Sequence, residues 1–340
     1  MTPVILKKYL NKLVKNQLSM STMIWGAPGI GKSSIVAQVA QENELDFIDL
    51  RLSQLAPTDL RGLPVPVAGV DKKQGTSTWY PPDFLPKDGK GILFLDELNM
   101  APPTMQGVAQ QLILDRKVGA YEVPEQWFIW AAGNRKEDKA SIFEMPSPLA
   151  NRFLHLEVMV DFDSFKAYAL KKNLHEQIIA FLSYRSELLH KLDSQSHAWA
   201  SPRTWEMASQ LHYNQMDIAP AVGEGVSSEF RSFGALYQNL PDIESILSGK
   251  GQDIKFPEEA STRYATTLAL AIRSTNPDES LNSFRWLVNN GNKEWVQLFA
   301  VDLIRIMREK KQLGAFSKLI RVEKELQVFL KDFQNIIGVL

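Results

Sequence analysis

The sequence has 340 residues and no cysteine. This absence excludes disulfide bonds, thiolate metal sites and a cysteine nucleophile, and it fits a reducing compartment. The sequence also has no apolar run of about 18 residues, the length that a membrane-spanning helix needs. Residues 1–20 carry apolar residues at helical spacing, without the continuous apolar centre of a signal peptide. We therefore expect a soluble cytoplasmic protein that makes no contact with a membrane.

The sequence also has few histidines and almost no net charge. The five histidines are scattered, and "LHEQII" at residues 174–179 has no second histidine to complete a helical zinc motif. The formal charge is −1, so the chain as a whole does not attract nucleic acid, although a local basic groove would not appear in that sum. The sequence disfavours a zinc enzyme and gives no support to nucleic-acid binding.

Apolar patterns divide the chain into two parts. Up to about residue 160, short apolar runs alternate with helical stretches, which is typical of a parallel sheet flanked by helices. The predicted strands are 23–25, 46–52, 92–95, 127–132 and 153–160. Beyond residue 160 the strand signals stop and helical periodicity dominates. The predicted fold is α/β first and all helical afterwards.

The stretch "GAPGIGKSS" lies between the first predicted strand and a predicted helix. It satisfies the pattern G-x-x-x-x-G-K-[ST], in which glycines let backbone N–H groups face phosphate oxygens at the positive end of a helix. Lys32 is expected to reach the β- and γ-phosphates, and the Ser33 hydroxyl to hold Mg²⁺. A glycine-rich turn without a ligand is the disfavoured alternative. The predicted nucleotide-binding residues are Gly26, Ala27, Pro28, Gly29, Ile30, Gly31, Lys32, Ser33 and Ser34.

Two later predicted strands end in groups suited to handling metal and water. In "GILFLDELN" the apolar run ends at Asp96, a predicted metal ligand, and Glu97, predicted to polarise a water against the γ-phosphate. In "WFIWAAGN" the strand ends near Asn134, whose amide can donate to phosphate and accept from water. Taken singly, the acidic pair could cap a helix and Asn134 could occupy a turn. Their order after the phosphate cradle favours a nucleotide site.

The series "GAPGIGKS", "LFLDELN", "AAGN", "PLANRF" and "ASPRTW" resembles an AAA+ ATPase of the P-loop class, and within that superfamily the MoxR-type group. The stretch "LAPTDLRGLPVPVAGVDKKQGTSTWYPPDFLP" is similar to that group's hairpin insert, at about residues 64–80. The stretch "NMAPPTMQGVAQQLILDRKVGAYEVP" resembles the helix and short hairpin that precede sensor 1, here Asn134.

The resemblance assigns roles to two arginines. Arg152 corresponds to an arginine finger that acts in trans on the nucleotide of a neighbouring subunit, and Arg203 corresponds to the sensor 2 arginine of the lid. For either arginine taken singly, a surface ion pair is an equal alternative. Arg135 and Lys136 stand where many relatives have a proline, and either could approach a neighbour's phosphate or pair with Glu137 and Asp138.

The resemblance also implies an architecture and an activity. The implied segments are an α/β nucleotide-binding core at 1–158 with a parallel five-stranded sheet of order 5-1-4-3-2, a helical lid at 159–250 carrying sensor 2, and a helical extension at 251–340. The implied assembly is a homo-oligomeric ring, usually hexameric. Hydrolysis of ATP with Mg²⁺ would drive chaperone-like remodelling of a protein client, such as a von Willebrand factor A domain protein.

Two other functions stay open at this point. A nucleic-acid-directed motor of the McrB or helicase type shares the same signatures, although the near-neutral charge disfavours it. A non-catalytic scaffold gated by nucleotide is the other alternative, and the intact pair Asp96 and Glu97 opposes it.

Overall fold

The computed structural model describes residues 1–68, 75–138, 142–193, 195–237, 239–323 and 326. The chain divides into two compact units, 1–161 and 162–340. The first unit holds a five-stranded sheet, and helices dominate the second. The predicted change from α/β to helical structure near residue 160 is confirmed. The finer division of the second unit into a lid and an extension stays a prediction.

The helices of the first unit are α1 (Pro3–Lys15), α2 (Lys32–Glu42), α3 (Pro57–Arg61), α4 (Pro103–Asp115) and α5 (Ser147–Ala150). Its strands are β1 (Thr22–Trp25), β2 (Asp46–Arg51), β3 (Leu63–Ala68), β4 (Gly75–Tyr80), β5 (Gly91–Asp96), β6 (Lys117–Val118), β7 (Tyr121–Glu122), β8 (Trp127–Gly133) and β9 (Leu154–Glu157). Short 3-10 turns occupy Leu52–Gln54, Leu98–Met100 and Lys136–Asp138.

The main sheet is parallel and has the strand order β2-β5-β8-β1-β9. Numbered along the chain, this is the predicted order 5-1-4-3-2. One face packs against α1 and α2, and the other packs against α4. β8, and β5 up to Leu95, are buried and carry no charged residue, as expected of strands covered on both faces. Since parallel strands end at a common edge, β1, β5 and β8 deliver the residues that follow them to one place.

Two antiparallel hairpins leave the main sheet. β6 and β7 form the short hairpin expected before sensor 1, and β3 and β4 form a hairpin at the expected insert. On the β3–β4 hairpin, Leu63, Val65 and Val67 lie on one face and are 66%, 44% and 45% exposed. The insert therefore presents apolar side chains to solvent.

Prolines fix the orientation of β3 in this hairpin. Pro64 lies opposite Trp79, and Pro66 lies opposite Ser77. Because proline has no N–H, these positions are the non-hydrogen-bonded pairs of the ladder, and their backbone groups point away from β4. The outer edge of β3 consequently lacks N–H donors at alternate residues.

The helices of the second unit are α6 (Phe162–Lys171), α7 (Glu176–Tyr184), α8 (Pro202–Tyr213), α9 (Ala219–Val222), α10 (Glu224–Tyr237), α11 (Ile243–Leu247), α12 (Ala260–Arg273), α13 (Pro277–Asn290), α14 (Lys293–Glu309) and α15 (Leu313–Val322). They enclose two apolar clusters, and α12 contributes Leu268 to one and Leu270 to the other. A buried ion pair between Lys166 and Asp302, with N and O 2.5 Å apart, joins α6 to α14. Removing one partner of such a pair costs about 3–5 kcal/mol. Among the described residues, no helix has the length and apolarity to cross a bilayer.

Two half-buried histidines meet edge to face in the second unit. The ring centroids of His175 and His212 are 4.3 Å apart. His175 Nδ1 accepts a hydrogen bond from the backbone N–H of Gln177 at 3.2 Å, and thereby caps α7. Burial and the neighbouring His212 lower the pKa of His175, with a smaller opposing effect from Glu176. Burial also lowers the pKa of His212.

We expect the second unit to lose stability as the pH falls below the ordinary histidine pKa of 6.5. The unfolded chain then binds protons that the folded unit resists, whereas above this pH both states hold neutral imidazoles. The His212→Phe variant keeps an aromatic ring without a titrating proton. Its melting temperature should therefore fall less between about pH 7.5 and about pH 5.5 than that of the wild type. The exposed His197→Phe variant serves as the control, and equal falls in wild type and His212→Phe would refute the assignment.

Candidate active site

The loop of residues 26–31 joins β1 to α2 and forms the predicted turn between strand and helix. Gly31, the N-cap of α2, has a φ of +94°. A Cβ at this glycine would meet no atom within 4 Å, so glycine is required here for its backbone conformation. The first N–H groups of α2 have no acceptor within the helix. The loop thus places backbone N–H groups that lack helical acceptors at the positive end of a helix, as an anion site requires.

Lys32 lies at the centre of this cradle and is 9% exposed. Its Nζ donates to the carbonyl oxygens of Gly26 and Ala27 at 2.7 and 3.1 Å. It also donates to Asn134 Oδ1 at 3.0 Å. The cradle that follows β1 and the amide that follows β8 are therefore in direct contact.

Ser33 and Asp96 also converge at this edge of the sheet. Ser33 Oγ donates to Asp96 Oδ2 at 2.6 Å, and the other carboxylate oxygen accepts from the Glu97 N–H at 2.8 Å. An adjacent hydroxyl and carboxylate suit Mg²⁺, which prefers oxygen ligands and is held by few protein groups beside substrate phosphates. Burial, together with the negative charges of Asp96 and Glu97, raises the pKa of nearby Asp49. The donor set and the local negative charge both fit a magnesium ion.

Glu97 has a left-handed backbone with a φ of 56°, which is uncommon outside glycine and asparagine. Such a conformation costs about 1–2 kcal/mol, so neighbouring contacts must maintain it. The Glu97 carboxylate accepts a hydrogen bond from the Ser53 hydroxyl, which lies in the turn after β2. Ser53 thus orients the predicted base, a role that no sequence motif indicated.

Asn134 is held by a second asparagine. Its N–H donates to Asn99 Oδ1 at 3.1 Å, and Asn99 Nδ2 donates to the Asn134 carbonyl at 2.7 Å. A Cβ at Gly133 would lie 2.5 Å from Asn99 Oδ1, so only glycine permits this approach. Asn99 is 2% exposed and belongs to the quoted stretch "GILFLDELN", but the motif itself gave it no role. The paired amides fix the backbone of Asn134 and leave its side chain directed to Lys32.

The two predicted arginines are both exposed. Arg152 lies exposed in the turn after α5, and within the described ranges its guanidinium makes no hydrogen bond or ion pair. Arg203 is exposed at the second residue of α8, just after the N-cap Ser201. Arg203 belongs to the second unit. The roles of both arginines stay predictions.

Arg135 pairs with Glu137 and Asp138, one of the two alternatives that the sequence left open, whereas Lys136 has a different partner. The Arg135 guanidinium donates to Asp138 and to Glu157, each at 2.8 Å. Hydrogen bonds to Asp138 and Glu157 raise the pKa of Arg135, so it stays charged. Lys136 pairs with Glu144.

Part of the chain is similar to known proteins. Residues 22–155 match the sequence profile of the family described as "ATPase family associated with various cellular activities (AAA)". NtrX from Brucella abortus in complex with ADP is similar at 14% identity, with 91% of this chain and 67% of that chain covered and a TM-score of 0.40. A RuvB mutant from Thermotoga maritima is similar at 13% identity, with 87% and 86% covered and a TM-score of 0.38. The family match covers most of the first unit, including the loop after β1 and the ends of β5 and β8.

Proposed function

We propose that the protein is a Mg²⁺-dependent ATPase of the MoxR-type AAA+ group, which works as a homo-oligomeric ring on a protein client. One observation carries the catalytic part of the proposal. Lys32 contacts Asn134, Ser33 contacts Asp96, and Glu97 follows directly, so that groups from three strand ends meet at one edge of the sheet. Phosphate binding, metal binding and activation of water need this combination of groups in one place.

The residues divide the work of hydrolysis. The N–H groups of the cradle and the Lys32 ammonium bind the phosphates, and Asn134 orients the attacking water. Glu97 takes the proton from that water, while the Ser53 hydroxyl holds its carboxylate in place. Ser33 and Asp96 would hold Mg²⁺. When bound, Mg²⁺ supplies positive charge that offsets the charge of the β- and γ-phosphates.

The mechanical part of the proposal rests on the resemblance and on the hairpin insert. We assign Arg152 to the neighbouring subunit's nucleotide and Arg203 to the lid, in a ring of six subunits. The β3–β4 hairpin, with its exposed apolar face, is the element that we expect to meet the client. Residues 69–74 at its tip lie outside the described residues. A von Willebrand factor A domain protein is the client class that fits this group.

A Lys32→Ala variant tests the nucleotide site. We expect its affinity for ATP to fall by about 100-fold or more, since two charge-assisted hydrogen bonds to phosphate are worth about 3 kcal/mol together. Titration calorimetry with ATP and Mg²⁺ measures the loss. The control is Lys117→Ala, which removes an exposed lysine that pairs with Glu122 on the short hairpin. Unchanged affinity in Lys32→Ala would refute the cradle.

A further inference from the structure

Strand β9 begins two residues after Arg152 and forms an edge of the main sheet. His155 and Glu157 are two residues apart on this strand and therefore share one face. His155 bonds to the last residue of β1, and Glu157 bonds to Arg135, two residues beyond β8. The strand that follows the predicted finger is thus linked to β1 and to the loop after β8, two of the three strand ends beside the nucleotide site.

The two hydrogen-bond partners of His155 determine which of its ring nitrogens carries the proton. Trp25 Nε1 lies 2.8 Å from His155 Nδ1, and the two rings are nearly parallel, with an interplanar angle of 14° and centroids 6.0 Å apart. An indole N–H can only donate, so Nδ1 must be the acceptor. His155 Nε2 lies 2.8 Å from the carbonyl oxygen of Ala150, which can only accept, so Nε2 must carry the proton. Both contacts require the same neutral tautomer, and they bridge two separate segments through one ring.

The two segments that His155 bridges are the start of the phosphate cradle and the turn before Arg152, and hydrolysis needs both in the correct positions. Trp25 immediately precedes Gly26, the first residue of the phosphate cradle, and Ala150 lies two residues before Arg152. The imidazole therefore connects the start of the cradle to the turn that presents Arg152. A shift of either segment would break a hydrogen bond of His155.

Glu157 makes the corresponding link to the loop after β8. It accepts from one guanidinium nitrogen of Arg135 at 2.8 Å, while the other nitrogens bond both carboxylate oxygens of Asp138 at 2.8 and 3.1 Å. Although burial opposes it, hydrogen bonding to Arg135 lowers the pKa of Asp138, so the acceptor stays charged. Since Arg135 follows Asn134 directly, the loop that orients water is fastened to β9.

We propose that His155 and Glu157 form a clamp that positions Arg152 for hydrolysis in the neighbouring subunit. The inference rests on the proposed function, because Arg152 needs a nucleotide to act upon. The clamp makes little difference to folding: both contacts lie on the exposed side of the edge strand, where an ion pair contributes about 0–1 kcal/mol. The clamp instead fixes the relative positions of the phosphate cradle, the loop after β8 and the turn that carries Arg152.

The kinetic test uses His155→Phe, which keeps an aromatic ring and loses both hydrogen bonds. We expect hydrolysis to slow by about 10- to 100-fold, the effect of a small misplacement, with ATP affinity and KM unchanged. His155→Gln offers an amide acceptor and donor and should restore part of the rate. Mixed with Lys32→Ala subunits, whose clamp is intact, His155→Phe subunits should regain activity. His197→Phe, which replaces an exposed histidine of the second unit, should match the wild type.

A second measurement is independent of hydrolysis. Because the chain has no cysteine, a spin label on Asn151→Cys reports only the turn beside Arg152. We expect the label to become more mobile when His155→Phe or Glu157→Gln is added, and to stay unchanged with His197→Phe.

The possible outcomes distinguish failure of the clamp from failure of the proposed ATPase function. Unchanged label mobility overturns the clamp, whether or not ATP is hydrolysed. A mobile label with wild-type hydrolysis overturns its positioning role, and failure of rescue in proven mixed rings shows that His155 acts on its own pocket instead. A wild-type protein that never hydrolyses ATP overturns the proposed function, and the label alone then decides whether the clamp exists.

Discussion

An Arg152→Ala variant is expected to bind ATP as the wild type does and to hydrolyse it about 10³- to 10⁵-fold more slowly. The γ-phosphate accumulates charge as its bond breaks, and an arginine supplied from outside the pocket neutralises that charge in the transition state only. Arg152 is exposed and its guanidinium has no ion pair within the described residues, so it is free of a competing structural duty. Calorimetry measures the binding, and phosphate release measures the rate.

Mixing subunits tests whether this arginine acts on a neighbour. A Lys32→Ala subunit has a disabled pocket and an intact finger, whereas an Arg152→Ala subunit has the reverse. Rings assembled from both contain some intact pockets beside intact fingers, so activity should appear in the mixture and peak near equal proportions. Arg308→Ala, an exposed arginine on α14, is the control that should keep full activity. If subunits exchange and interfaces fire independently, a mixture no more active than its components would exclude action in trans.

The Glu97→Gln variant should bind ATP tightly and fail to release phosphate. Glutamine preserves the size of the side chain and can still accept the hydrogen bond from Ser53, but it cannot take a proton from water. Loss of a general base slows hydrolysis by about 10²- to 10⁴-fold. We expect ATP to remain uncleaved on the protein after gel filtration.

The control for this experiment is Glu122→Gln, on the short β6–β7 hairpin, which should turn over normally. Rapid turnover by Glu97→Gln would exclude Glu97 as the base. Loss of ATP binding instead would indicate that the substitution disturbs Asp96, the proposed metal ligand, whose carboxylate accepts a hydrogen bond from the Glu97 N–H.

Strands β1, β5 and β8 were predictable because they are mostly buried and largely apolar. The last predicted strand, 153–160, is longer than β9, and the reason lies in its neighbour. β1 ends at Trp25, which pairs with Glu157, so pairing stops although the apolar pattern continues. The strand order came from the resemblance, because apolar runs do not specify which parallel strands become neighbours.

Some residues of the candidate site could likewise be predicted from the sequence and others could not. Lys32, Ser33 and Asp96 were predicted because each belongs to a short motif with a fixed spacing. Ser53 and His155 were missed because they act on residues 44 and 130 positions away, Glu97 and Trp25. A contact between distant segments leaves no local pattern, and only the folded sheet brings such residues together.

The prolines of β3 determine how the hairpin insert can meet other polypeptides. An exposed strand with apolar side chains is normally a template for intermolecular pairing and aggregation. Pro64 and Pro66 point outward without N–H donors, so the outer edge of β3 cannot complete a ladder with another chain. Ser77 and Trp79 on β4 retain their outward N–H groups. An extended segment of another molecule can therefore form backbone hydrogen bonds with the outer edge of β4 but not with that of β3. The insert can thus expose apolar side chains while only one of its two edges can pair with another chain.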